Sequence, residues 1–156
     1  MTSTPAGAVA PIGPVLLAYD GSELAALAIE EAARQLATGR DALVLCVWQP
    51  ADVGFVPTAT RHFDADEATE VHHAAEETAA HGATLAERSG FRPQSMAVQA
   101  APTWKGIVQT AEERRASLIV IGSHRHSGLA GHLLGNVAAA VVAHSTLPVL
   151  IVHQRS

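Results

Sequence analysis

Five short strand-like runs alternate along this chain with four stretches of helical composition, and that alternation limits its fold more than any other feature. Val15-Leu16-Leu17-Ala18-Tyr19 is apolar at consecutive positions, so neither of its faces suits water. It ends in Asp20-Gly21-Ser22, a turn and a helix cap. Residues 23–37 form a helix with Leu24, Leu27, Ala28 and Leu36 on one face and Gly39 placed to stop it. Residues 42–48 are a second buried strand. Residues 49–66, broken by Pro50, Gly54 and Pro57, are a long loop of the kind that serves as a lid or binding segment. A polar, Ala-rich helix over 67–89 ends at Gly90. A less buried strand over 94–99 follows, with Met96 and Val98 alternating with polar or small residues. A third helix covers 103–115, a β-branched strand 117–121, a fourth helix 133–144 and a last strand 149–152.

Strict β/α alternation with buried strands predicts an α/β fold, a parallel sheet covered by helices on both faces. The right-handed crossover rule leaves a doubly wound five-stranded sheet, strand order 3-2-1-4-5, as the simplest topology. The 156 residues favour one domain, expected over 14–156, after a Pro/Ala/Gly-rich flexible tail over 1–13.

Charge narrows the function classes. Fifteen acids against ten bases give a net charge of −5, which argues against nucleic acid and membrane surfaces as partners. The charge is uneven: every acid lies at or before Glu113, and the formal charges beyond it are Arg114, Arg115, Arg125 and Arg155. The last third therefore welcomes an anion although the chain as a whole is acidic. One cysteine, Cys46, excludes an internal disulfide. The first residues lack a signal-peptide pattern and no apolar stretch reaches membrane-spanning length, so a cytoplasmic protein is expected.

In a sheet of this kind ligands bind beyond the carboxyl ends of the strands, where strand order reverses. Two segments reach that point: Asp20-Gly21-Ser22, and the Gly/Ser/His loop from Gly122 to Gly131 that runs on to Gly135-Asn136. Glycines there let backbone approach a phosphate, and the helix that follows offers free N–H groups. The same loop also serves as a plain strand-to-helix connection, and both readings stand at this level. The chain holds neither G-x-x-x-x-G-K-[ST] nor a G-x-G-x-x-G opening the first helix.

VLLAYDGS at 15–22, SLIVIG at 117–122, LLGNV at 133–137 and LPVLIV at 147–152 together resemble the universal stress protein family. The resemblance implies a homodimer paired through strand 149–152 and a domain that binds ATP after the fourth strand through G-x2-G-x9-G-[ST]. Gly122 and Gly135 match the first and third glycines of that motif, while Arg125 stands at the second and Asn136 at the final Ser/Thr. The Arg125 guanidinium either clamps phosphate oxygens or fills their space. The resemblance further implies that Asp20 lies by adenine and ribose with the backbone of Ala18 and Tyr19. Val47 would meet adenine through its backbone. Ile121, Gly122, His124, Gly135, Asn136 and Val137 would surround ribose and phosphates, with any Mg²⁺ held through the phosphates. Ser117 stands where the family often has Asp.

The alternative is the same fold without nucleotide binding, acting as a homodimeric protein-interaction module. Other candidates are weaker. His72, His73, Glu76 and Glu77 share helical spacing that suits a metal or simply a solvated face. Cys46 is expected as an inert packed thiol and Trp104 as a packing anchor. No catalytic step is assigned: Ser22, His124 and Asp20 have no spacing that demands a triad.

Overall fold

The computed structural model describes residues 12–49, 65–124 and 134–154. The expected tail, apart from Ile12 and Gly13, falls outside them, as do most of loop 49–66 and residues 125–133. The elements are β1 (Val15–Ala18), α1 (Glu23–Gln35), β2 (Asp41–Trp48), α2 (Ala65–Arg88), β3 (Arg92–Gln99), α3 (Thr103–Glu113), β4 (Leu118–Ser123), α4 (Asn136–His144) and β5 (Val149–His153). Every strand pairing is parallel and the sheet order is β3-β2-β1-β4-β5, as the alternation predicts. No helix among the described residues is long and apolar enough to cross a membrane.

The pleat sorts β1 between two cores. Val15, Leu17 and Tyr19 face α1 and α2, together with Val44, Ala28, Ile29 and Phe91. Leu16 faces α3 and α4, together with Leu43, Leu45, Ile107, Ile119 and Val141. Val15, Leu16 and Leu17 are each at most 1% exposed, which requires a helical layer on both sides. Strand β3 lies at one edge, half-exposed as its polar alternation predicts. Strand β5 lies at the other.

Helix ends account for most boundary differences. Gly90 closes α2 as expected, at φ +105°. Its N–H donates to Glu87 O at 3.0 Å, and Phe91 N–H donates to Ala86 O at 3.0 Å. This pair of bonds satisfies the last carbonyls and delivers Phe91 to the core. The same closure ends α3, but Arg115 takes the left-handed position at φ 53°. Its N–H donates to Glu112 O and Ala116 N–H to Ala111 O. With no glycine to mark the stop, the sequence reading ran that helix too far. Gly39 does not stop α1, which ends at Gln35 with Leu36 as its cap. Gly39 lies in the turn beyond, at φ +84°, donating to Gly90 O at 2.8 Å. Helix α4 begins at Asn136 rather than 133, because Gly135 is its N-cap.

Helix α2 approaches the sheet most closely at Gly82. A Cβ there would lie 2.6 Å from Tyr19 Cδ1 and 2.8 Å from Val44 Cγ1. The Tyr19 ring and the Val44 side chain would both have to move. Gly82→Ala is therefore expected to destabilise the fold by about 1–3 kcal/mol, the usual cost of overpacking. An unchanged urea midpoint would contradict this packing.

Candidate functional site

The crossovers run to β2 and β3 on one side of β1 and to β4 and β5 on the other. The order therefore reverses between β1 and β4, and a crevice opens above their carboxyl ends. A cavity of about 310 Å³ occupies it. Ala18, Tyr19, Asp20, Val47, Ile121, Gly122, His124, Gly135, Asn136 and Val137 all line it. Arg125 lies outside the described residues.

The two helix starts at the crevice are chemically different. Ser22 caps α1, its Oγ accepting the Ala25 N–H at 3.1 Å, and Glu23 adds an acid to the first turn. That terminus is already satisfied. Helix α4 has Gly135 as N-cap, no side-chain cap and no acid in its first turn. The first bond of its ladder is Ala139 N–H to Gly135 O, so the N–H groups of Asn136, Val137 and Ala138 have no acceptor among the described residues. They are available to an anion, reinforced by the helix dipole. Helix α3 also starts without a side-chain cap, on Pro102. It packs against β2 at Gly106, which lies against Val47 and Ala100.

Ser123 holds the β4 and α4 ends together. It is 2% exposed, and its Oγ accepts the Gly135 N–H at 2.9 Å. The two motif glycines sit in different surroundings. A Cβ on Gly122 would lie 2.8 Å from Leu24 Cγ, so close packing of α1 excludes a side chain there. A Cβ on Gly135 would meet nothing closer than Ser123 Oγ at 3.6 Å, so its absence leaves open space at the cavity wall.

The other end of the cavity is apolar, formed by Leu45, Val47 and Ile107 with Thr103 among them. Strand β1 stops opposite Leu45, whose carbonyl accepts the Tyr19 N–H at 2.9 Å. Val47, two residues on, points its peptide groups to the same side, beyond the end of β1. Those groups have no hydrogen-bond partner among the described residues outside the sheet ladder.

Asp20 is exposed and accepts the Ser22 N–H at 2.9 Å through Oδ1, which shapes the turn with Gly21 at φ +86°. Its Oδ2 has no partner among the described residues. Tyr19 is buried, with its hydroxyl 2.7 Å from His81 Nδ1 on α2. Burial first, then the negative charge of Asp20 and the neighbouring Cys46, raise its phenol above the ordinary value. The phenol thus serves as a neutral strut to α2.

The remaining candidates fall to packing. His72 Nδ1 accepts the Trp48 indole N–H at 3.0 Å, while its Nε2 lies 3.2 Å from Glu76. His73 meets the same Glu76 at 3.3 Å. No three potential metal ligands cluster among the described residues. Cys46 is buried, and Trp104 packs on the α3/α4 core and stacks on His144 at 3.9 Å between ring centroids. In place of an Asp, the Ser117 hydroxyl donates to Gly13 O at 2.7 Å and accepts from Arg40 at 2.8 Å.

Sequence reasoning missed Ser123, Thr103, Leu45 and Ile107. Ser123 had a usable signal, since alternation from the buried Ile119 and Ile121 continues to it. Thr103 had none, because only the approach of α3 to β2 brings it to the cavity.

Ser123→Ala leaves the Gly135 N–H without its acceptor. An expected loss of about 0.5–1.5 kcal/mol of stability follows, the usual net worth of one hydrogen bond, since this bond is only part-buried. Chemical denaturation checks it, and a loss below a few tenths of a kcal/mol would contradict this bridging role.

The universal stress protein family model matches residues 11–153. A universal stress protein of Mycolicibacterium smegmatis is 33% identical over 154 residues, spanning 91% of this chain and 46% of that protein. The chain thus spans about half the length of this relative. Universal stress protein YxiE of Bacillus subtilis is 30% identical over 148 residues, covering 88% of this chain and 97% of that one. Among solved structures, a universal stress protein in complex with cAMP superposes with a TM-score of 0.65 at 25% identity, over 92% of this chain and 98% of that chain. The fold, the order of its motifs and a family match across nearly every described element converge, and this chain belongs to the universal stress protein family.

Proposed function

We propose that the β1/β4 cavity binds an adenine nucleotide, in particular ATP, and that the protein acts as a cytoplasmic nucleotide-responsive module in stress response or signalling. One observation carries the reading. A single cavity joins an uncapped helix N-terminus beside Gly122 and Gly135 to an apolar slot at Val47 and Ile107. Phosphates suit the first end and a purine the second. The family member solved with cAMP supports the ligand class. In this reading Asp20 accepts from ribose hydroxyls with the backbone of Ala18 and Tyr19 beside it, and the backbone of Val47 meets the base. Ile121, Gly122, His124, Gly135, Asn136 and Val137 surround ribose and phosphates, and Arg125 adds positive charge. Any Mg²⁺ is held through the phosphates, and no chemical step is assigned.

Calorimetric titration of ATP with Mg²⁺ is expected to give saturable heat and a raised melting temperature. No heat and no shift at millimolar ATP would sink the proposal and favour the interaction-module alternative. Arg125→Ala then separates two roles: weaker binding means the guanidinium clamps phosphate, tighter binding that it obstructs.

We further propose that β5 pairs with β5 of a second copy. Its outer edge is unpaired within the described sheet, and Val149, Leu150 and Ile151 are only partly buried there. Natural edges of this kind are usually paired or covered. Sedimentation at micromolar concentration is expected to give a dimer, and monomer alone would refute it.

A further inference from the structure

We propose that Thr103 is a base-reading residue, whose hydroxyl donates to an unprotonated ring nitrogen of adenine, with Gln49 as its positioning residue. The inference rests on the nucleotide reading above and adds to it what distinguishes the base.

The apolar end of the cavity explains why a flat ring enters but not which ring. Leu45, Val47 and Ile107 offer contact area there, and Thr103 supplies a hydroxyl in the same wall. Thr103 opens α3 directly beyond the carboxyl end of β2. Gln49 follows β2 and donates from Nε2 to Thr103 Oγ1 at 2.5 Å. That bond occupies one lone pair of the hydroxyl and ties the residue to the strand whose backbone flanks the slot. A hydroxyl carries one proton and two lone pairs. With one lone pair taken by Gln49, the proton is left to donate, and the described residues give it no acceptor. A ligand atom that accepts satisfies it. One that presents a hydrogen opposes it and leaves two donors unpaired in an apolar slot, which binding sites reject strongly. Adenine offers three ring nitrogens that accept outside the glycosidic position: N1, N3 and N7.

The test pairs protein variants with ligand atoms. ATP and its 1-deaza, 3-deaza and 7-deaza analogues are titrated into the wild type, Thr103→Val, Thr103→Ser and Gln49→Glu. Thr103→Val is nearly isosteric and is expected to weaken ATP about five- to tenfold, the worth of one hydrogen bond. Thr103→Ser keeps the hydroxyl and is expected to stay within about twofold of wild type. Gln49→Glu captures the hydroxyl proton with a carboxylate, so it should weaken ATP by a factor similar to Thr103→Val.

The decisive readout is coupling. One deaza analogue should lose affinity for the wild type by the same factor and lose nothing more in Thr103→Val, because the same bond is removed from either side. Losses that simply multiply for all three analogues would overturn the proposal while leaving nucleotide binding intact. So would an unchanged ATP affinity in Gln49→Glu. A wild type that binds none of the four ligands would refute the nucleotide reading itself. Melting temperatures measured alongside identify a variant that fails to fold, and Thr103→Ser and Gln49→Glu then carry the test.

Discussion

The structure depends on a strand that has no face for water. Val15, Leu16 and Leu17 of β1 are buried on both sides of the sheet, so each side needs a helical layer. Helices on both faces of a parallel sheet require crossovers that leave β1 in opposite directions, since each crossover keeps one hand. The chain first builds β2 and β3 on one side and then returns to lay β4 and β5 on the other. The crevice above β1 and β4 follows from that return. The cavity is thus a consequence of burying β1, and residues from distant parts of the chain meet in its lining because their strands flank it.

The chemistry of the crevice is set by which helix start remains unsatisfied. Ser22 caps α1 and Glu23 stands in its first turn, so that positive end is already neutralised by the chain itself. Helix α4 starts on a glycine and carries no acid in its first turn. The uneven distribution of charge along the chain acquires a spatial meaning here. The acid-free segment after Glu113 builds β4 and α4, whose ends form one wall of the cavity, and then β5. Asp20, the acid lining the cavity among the described residues, lies in the turn after β1 and has one oxygen committed to that turn.

Much of this was legible in the residues. Apolar runs and alternation marked the strands, stretches of helical composition marked the helices, and all ten anticipated site residues that are described line one cavity. Less legible was why particular residues are needed. Gly122 looked like a phosphate glycine, yet it is the nearness of Leu24 that excludes a side chain there. Gly39 looked like a helix stop, but α1 ends four residues earlier at Gln35, capped by Leu36, which donates its own N–H to Ala32 O. Histidines at metal-ligand spacing turned out to bond an indole and a carboxylate.

The sequence by itself determined the element order, the doubly wound sheet and the crevice where its strand order reverses, because apolar periodicity and crossover handedness are properties of a chain read locally. Only the tertiary structure decided which groups reach that place with hydrogen-bonding capacity to spare. Ser123 is committed to Gly135, Ser22 to α1 and the Thr103 lone pair to Gln49, while the first N–H groups of α4 are left open. Those commitments join residues up to 54 positions apart. Hydrogen bonds of this kind depend on where strands and helix ends meet in space, and no local pattern of residues encodes that meeting.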